Sequence, residues 1–319
     1  MKVLVTGAAG FIGSHLSERL KKLGIDVFGV DNFNPYYSPE LKKLNAKDLK
    51  NQNIEVKTLD LVTDDLSKVL KDVEMVFHFA AQPGISDEVP FEDFLNNNIV
   101  ATHNLWKVLR DSKTLKMFIN ICTSSIYGVH ATDTEDAAPK PTSYYGATKL
   151  GAEQLVLGFC RDGGFPACSV RPFSIYGERE RPEKLYPKLI HSILEDKPFP
   201  LFEGSEKHLR SYTYVGDLIN GLVAIMQSPD KCMGEIFNLG IDSAITTGEG
   251  IKIVEELLGK KAKFDIKPKR AGDQLETCAN ISKARKILGY NPVTTPKEGL
   301  KKEVEWYKNK IWQKINLYQ

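Results

Sequence analysis

Tyr145 and Lys149 stand four residues apart in Tyr145-Gly146-Ala147-Thr148-Lys149, so on a helix both side chains leave the same face. A free phenol, with a reference pKa of about 10, is a poor base at neutral pH. An ammonium beside it favours the phenolate and makes proton abstraction feasible. A second group of hydroxyls, Thr123-Ser124-Ser125, directly follows the apolar run at 117–121. At the end of a central strand such a hydroxyl can bond a reacting alcohol and pass its proton to the phenolate. Gly7, Gly10 and Gly13 follow the first apolar run and open a helical pattern. Glycine allows the tight turn and the close approach of a pyrophosphate to the helix N-terminus. The second apolar run ends at Asp31 with no arginine beside it. A carboxylate there bonds ribose hydroxyls and repels a 2′-phosphate, which favours NAD over NADP. Taken singly, a Tyr/Lys pair, a Ser/Thr turn or a glycine triplet is common in any protein. Their order along the chain carries the reading.

That order needs a scaffold. Short apolar runs at 3–5, 27–30, 56–59, 75–79, 117–121 and 167–170 alternate with helix-like segments at 14–23, 98–110 and 146–159. Strands apolar on both faces, separated by helices, predict an α/β fold with a doubly wound parallel sheet. After Arg171 the rhythm changes, with Pro172, Pro182, Pro187, Pro198 and Pro200 crowding one stretch. Helical patterns follow at 217–226, 248–258, 282–288 and 296–307, with a strand-like run at 236–239. We expect a cofactor domain over 1–171 and a smaller α/β lobe over 172–319, with the strand near 236–239 returning to the first. The 319 residues are 42% hydrophobic, enough for a large core. A net charge of +2 gives no basic field for nucleic acid, and the Lys-rich stretches at 42–50 and 260–269 read as solvated faces. No run approaches the roughly 18 apolar residues of a membrane span, and no leader fits the first residues. The five cysteines form no CxxC pair, so free thiols in a reducing cytoplasm are expected and no metal site.

Gly7-Ala8-Ala9-Gly10-Phe11-Ile12-Gly13, Asp60-Leu61, His78-Phe79-Ala80-Ala81-Gln82, Asn98 and the Thr123/Tyr145/Lys149 set together resemble the short-chain dehydrogenases/reductases. The resemblance implies that Gly7, Gly10, Phe11, Ile12, Gly13, Asp31 and Asn32 bind NAD. It gives Asp60 and Leu61 to the adenine, runs Phe79, Ala80 and Ala81 under the cofactor, and has Asn98 steady the neighbouring strand. Thr123 takes the serine/threonine role, Tyr145 is the base and Lys149 its partner, which also holds the nicotinamide ribose.

The likeness to the extended, NAD-dependent epimerase/dehydratase branch covers nearly the whole chain. Arg171-Pro172-Phe173-Ser174-Ile175-Tyr176-Gly177, Leu209-Arg210-Ser211-Tyr212-Thr213-Tyr214-Val215 and Arg270-Ala271-Gly272-Asp273 are similar to its substrate segments, with Glu178 and Ser211 as departures. The resemblance implies a UDP-sugar clasped by Arg210, Arg270 and Asp273, with Phe202 on the base and Gln82, Ser124 and Ser125 near the sugar. Dehydratases and decarboxylases of the branch carry a carboxylate in the two positions after the threonine; Ser124-Ser125 has none, which points to epimerisation. There the phenolate takes the O4 proton, hydride leaves C4 for NAD, the 4-keto sugar turns, and hydride returns to its other face. Asp31-Asn32-Phe33-Asn34-Pro35-Tyr36-Tyr37, Ala80-Ala81-Gln82-Pro83-Gly84 and Arg181-Pro182-Glu183 look like UDP-glucuronate 4-epimerases, where Ser174 and Arg181 would meet the sugar carboxylate. That family usually has Val-Arg where this chain has Ile85-Ser86, followed here by Asp87-Glu88, and Glu178 and Glu180 stand near Arg181. A neutral hexose, as in UDP-glucose/galactose epimerases, therefore stays open. A homodimer through the helices at 98–110 and 145–159 is also implied.

Overall fold

The computed structural model describes residues 1–84, 89–269, 274–315 and 317. Strands β1 (Lys2–Thr6), β2 (Asp26–Asp31), β3 (Val56–Thr58), β4 (Met75–His78), β5 (Met117–Ile121), β6 (Ala167–Pro172) and β7 (Ile236–Leu239) build one sheet in the order β7-β6-β5-β4-β1-β2-β3. Every neighbouring pair is parallel. The period of two divides each strand between two cores. Val3, Val5, Phe77 and Ile119 join one apolar layer, and Leu4, Val76 and Phe118 join the other. Burial on both faces is why the strands read as unbroken apolar runs. This is the doubly wound α/β architecture expected from the sequence.

Helices α1 (Phe11–Lys22), α2 (Pro39–Lys50), α3 (Ala101–Leu109) and α4 (Tyr144–Gly163) belong to the first half; α5 (Leu185–Leu194), α6 (Val215–Gln227), α7 (Thr247–Leu258), α8 (Ser282–Leu288) and α9 (Pro296–Trp306) follow β6. Leu16 and Leu20 of α1 and Leu218 and Leu222 of α6 cover one face of the sheet. Leu105 and Leu109 of α3 and Val156 of α4 cover the other. Helix α4 starts where the Ser143 hydroxyl accepts the Gly146 N–H at 3.1 Å and ends at Gly164, φ +66°. Helices α7 and α9 each open on a capping box, Thr246/Glu249 and Thr295/Glu298.

Three features depart from the sequence reading. The stretch at 42–50 is not wholly solvated, because α2 buries Leu41, Lys42, Asn45 and Leu49. The helix expected from 98 is preceded by a π-helical turn, Leu95–Val100. The proline-rich stretch contains a strand, Pro198–Phe202, that pairs in parallel with Lys263–Lys267. Strand traffic also runs both ways. While β7 lies beside β6, His130–Ala131 leaves the first half to pair with Glu276–Thr277 in a four-stranded sheet that also holds Leu209–Arg210 and Ile245–Thr246. A third apolar cluster, with Tyr176, Tyr186, Leu189, Val254, Leu300 and Tyr307, lies in the second half and takes Leu41 from α2. No helix among the described residues is long and apolar enough to cross a membrane. The described residues contain no group of three or more His, Cys, Asp or Glu able to hold a metal ion.

Candidate active site

The sheet order reverses between β1 and β4, and a crevice opens there at the carboxyl ends of the strands. It forms one end of a cavity of about 1120 Å³ that continues between the two halves of the chain. Gly7, Gly10 and Gly13 line this end with Phe11 and Ile12. Gly7 has φ +66°, and a Cβ there would stand 3.0 Å from the Ala80 nitrogen. A Cβ on Gly13 would come within 2.4 Å of the Gly7 carbonyl oxygen. The α1 N-terminus has no side-chain cap and no acid in its first turn, so its N–H groups and dipole suit an anion. These observations fit a pyrophosphate.

Asp31, at the end of β2, accepts the Ala9 N–H at 3.1 Å and the Phe33 N–H at 2.8 Å. Burial pushes its carboxyl up, opposed by Lys42 and by these bonds. Lys42 is the cation that local sequence did not reveal. It lines the cavity, donates to the Asn34 carbonyl at 2.7 Å and lies 4.6 Å over the Tyr37 ring. The spacing of Leu41, Asn45 and Leu49 after Pro39 was the available sign of a buried helix face beside it. Asn32, Leu61, Phe79, Ala80 and Ala81 also line the crevice. Asp60 and Asn98 are not among the lining residues. Asp60 accepts from the Asn32 amide at 3.0 Å. Asn98 grips Gln82, accepting its N–H at 2.8 Å and donating to its carbonyl at 3.2 Å, and donates to the Thr148 hydroxyl at 2.9 Å. It thereby ties the β4 exit to α4. His78 bridges the Thr6 hydroxyl at 2.8 Å and the Thr102 hydroxyl at 2.9 Å, and burial followed by the Lys149 charge lowers its pKa to about 3, so it is a neutral strut.

Thr123, Tyr145 and Lys149 all line the cavity. Thr123 caps a short 3-10 turn, its oxygen accepting the Ser125 N–H at 3.1 Å while its hydroxyl lies 3.2 Å from the Ser125 hydroxyl. It is also in hydrogen-bonding contact with the Tyr145 phenol. Burial pushes that phenol above its ordinary value, outweighing the Thr123 contact and the Arg181 charge. Burial likewise lowers Lys149, partly offset by Cys122 and Glu153. In the protein alone, burial therefore holds the phenol above its ordinary value.

Gln82, Ser124, Ser125, Ser174, Arg181, Phe202 and Arg210 line the far end. Ser174, with φ +42°, lies 3.3 Å from the Thr277 hydroxyl. Arg181 pairs with Glu183 at 2.9 Å and lies 5.7 Å over the Tyr36 ring. Arg210 donates to the carbonyls of Leu209, at 2.8 Å, and Gln274. Glu178 turns away from the cavity to accept from Tyr214 at 3.2 Å, whereas Glu180 lines it. Arg270 and Asp273, and the 85–88 segment, lie outside the described residues.

The model of the NAD dependent epimerase/dehydratase family matches residues 3–240. The chain is 35% identical to the protein described as uncharacterized UDP-glucose epimerase YtcB of Bacillus subtilis (strain 168), over 96% of this chain and 98% of that protein. It is 35% identical to UDP-glucuronate 4-epimerase 3 of Arabidopsis thaliana, over 96% of this chain and 76% of that one. The crystal structure of UDP-glucuronic acid 4-epimerase from Bacillus cereus, in complex with UDP-glucuronic acid and NAD, superposes with a TM-score of 0.92 at 37% identity, covering 97% and 99% of the two chains.

Proposed function

Since the chain belongs to the NAD-dependent epimerase/dehydratase family, we propose that it is an NAD-dependent UDP-sugar 4-epimerase whose substrate is UDP-glucuronate. The observation that carries this reading is the convergence of Thr123, Tyr145 and Arg181 in one cavity with the glycine turn, with only hydroxyls at Ser124 and Ser125. Elimination and decarboxylation on this scaffold call for a carboxylate at those two positions; proton transfer at a single alcohol does not. Bound NAD would supply the hydride acceptor at C4, the hydride returned to the other face, and a positive ring charge beside the phenol. Gly7 and Gly13 leave room for its pyrophosphate and Asp31 suits its ribose.

The protein's part is positioning and proton transfer. Thr123 bonds the O4 hydroxyl and hands its proton toward Tyr145, while Lys149 orients the ribose and favours the phenolate. Ser174 and Arg181 anchor the sugar carboxylate, which matters because a β-keto acid loses CO2 readily. Phe202 stacks on the uracil, and Arg210, with Arg270 and Asp273, holds the diphosphate and its surroundings. Residues 1–171 with β7 carry the cofactor and residues 172–319 carry the sugar nucleotide. The enzyme works as a homodimer in the cytoplasm; the five unpaired thiols support a reducing compartment.

Glu180 in the cavity wall favours a second reading, an uncharged hexose as in UDP-glucose/galactose epimerases. Incubating the purified protein with UDP-glucuronate or UDP-glucose and following the anomeric protons by NMR separates the two. Conversion of UDP-glucuronate to its 4-epimer is expected. Turnover of UDP-glucose alone would transfer the assignment to the second reading, and release of CO2 would reject both.

A further inference from the structure

Glu180 and Glu303 come from distant parts of the chain, the turn after Ile175–Tyr176 and helix α9, yet their carboxyls meet, with Glu180 lining the cavity. Glu180 is 5% exposed and Glu303 0%. Oε2 of Glu180 and both oxygens of Glu303 are buried and make no well-formed hydrogen bond. Two carboxylates are acceptors only, so neither can satisfy the other while both are ionised. Protonation supplies the missing donors and removes a like-charge contact that burial would make severe.

The surroundings favour keeping that proton. Tyr176, Tyr186, Tyr212 and Tyr214, packed on one another, lie within electrostatic reach of the pair, and Glu178 adds a further unfavourable field on ionised Glu303. The Lys302 ammonium is spent 4.4 Å over the Tyr214 ring. On the opposing side, Lys184 and Arg181 favour ionised Glu180, and the Gly177 N–H favours ionised Glu303 slightly. Arg181 is already matched by Glu183, which itself works against ionised Glu180. Burial dominates: it lifts Glu180 to about 8 and Glu303 well above the carboxylate range.

We propose that Glu180 is a specificity-determining residue of the sugar pocket: protonated where it meets Glu303, it presents a neutral acid beside Arg181, and loss of that proton turns the pocket against an anionic sugar while sparing a neutral one. This rests on the reading that the sugar lies beside Arg181. The sign follows from the direction of the shift. A raised carboxyl is neutral below its pKa and gains its charge as pH rises through it, so uronate affinity is full at pH 6.5 and falls toward pH 9.

The test is calorimetric, so that it does not depend on turnover. Dissociation constants of UDP-glucuronate, UDP-glucose and UDP are measured from pH 6.5 to 9 with NAD present. UDP-glucuronate should weaken about tenfold more than UDP-glucose, the two ligands differing only at C6. Glu180→Gln should abolish that difference in slope. Glu303→Gln, whose amide can donate to Glu180 and stabilise its charge, should weaken UDP-glucuronate already at pH 7. Parallel pH curves for the two sugars in the unaltered protein, or the same slope in Glu180→Gln, would overturn the proposal. Failure of epimerisation with the slope present would instead remove the proposed reaction and leave the charge device standing.

Discussion

The central side chain of the site is a tyrosine that the chain itself does not acidify. Its hydroxyl contacts Thr123, and Arg181 adds a favourable field, but full burial outweighs both. The phenolate therefore needs a further positive charge, which an oxidised nicotinamide would bring into contact range. The expected outcome is that the phenolate absorbance of Tyr145, isolated as the difference between the unaltered protein and Tyr145→Phe, titrates above pH 10 without NAD and at lower pH with it. In the proposed mechanism Tyr145 acts as phenolate, so turnover should rise with pH up to the lowered value. Removing the base should cost about 10²–10⁴-fold in turnover with NAD still bound. Full turnover in Tyr145→Phe would remove the residue from the mechanism. Much of this was readable beforehand, since Tyr145 and Lys149 are four apart and the helical repeat places them together. The direction of the shift was not, because burial is set by neighbours that lie far away in sequence.

At the scale of elements, the helix that carries Tyr145 and Lys149 is held to the sheet by a buried ion pair. Arg171 at the end of β6 donates to Glu153 on α4 at 2.6 and 3.1 Å, to the Tyr127 hydroxyl at 2.7 Å and to the Glu135 carbonyl at 3.1 Å. Its side chain is 2% exposed and that of Glu153 0%. The sequence marked Arg171 only as part of a motif; its role becomes visible once α4 lies across β6, eight residues beyond Tyr145 at Glu153. Breaking one partner leaves an uncompensated buried charge, worth about 3–5 kcal/mol. Glu153→Ala should thus lower Tm by roughly 6–20 °C, and activity should fall with it as the helix loses its register. An apolar replacement of both partners, Glu153→Leu with Arg171→Met, should recover much of that Tm, because the pair's desolvation penalty disappears too. A double variant no more stable than Glu153→Ala would show that the pair does more than hold two elements together. The strands and the amphipathic helices were legible from periodicity. The π-helical turn that sets Asn98 was not, because nothing in Leu95-Asn96-Asn97-Asn98 distinguishes it from an ordinary helix start.

For the whole molecule, the apolar residues on α3 and α4 divide into two sets that periodicity could not separate. Leu105, Leu109 and Leu157 are buried within one chain, at 0%, 2% and 2% exposure. Phe91, Val108 and Tyr144 are 42%, 38% and 54% exposed on the same pair of helices and the turn before them. Phe91 already packs edge-on to Tyr144 at 5.2 Å, and Trp106 stacks on Phe159 at 3.9 Å, partly buried. Large aromatic and aliphatic side chains left in water on neighbouring helices are what a symmetric helix–helix interface would cover. We therefore expect a dimer by light scattering, with this face self-paired. Phe91→Glu together with Val108→Glu puts charge on exposed positions that take no part in the core, so the fold should keep its Tm as a monomer while the assembly dissociates. A dimer that survives the double substitution would move the interface elsewhere, and a monomeric unaltered protein would reject the assembly. Because α4 also carries Tyr145 and Lys149, dissociation should lower turnover more than it lowers NAD affinity, the glycine turn and Asp31 lying on elements remote from that face.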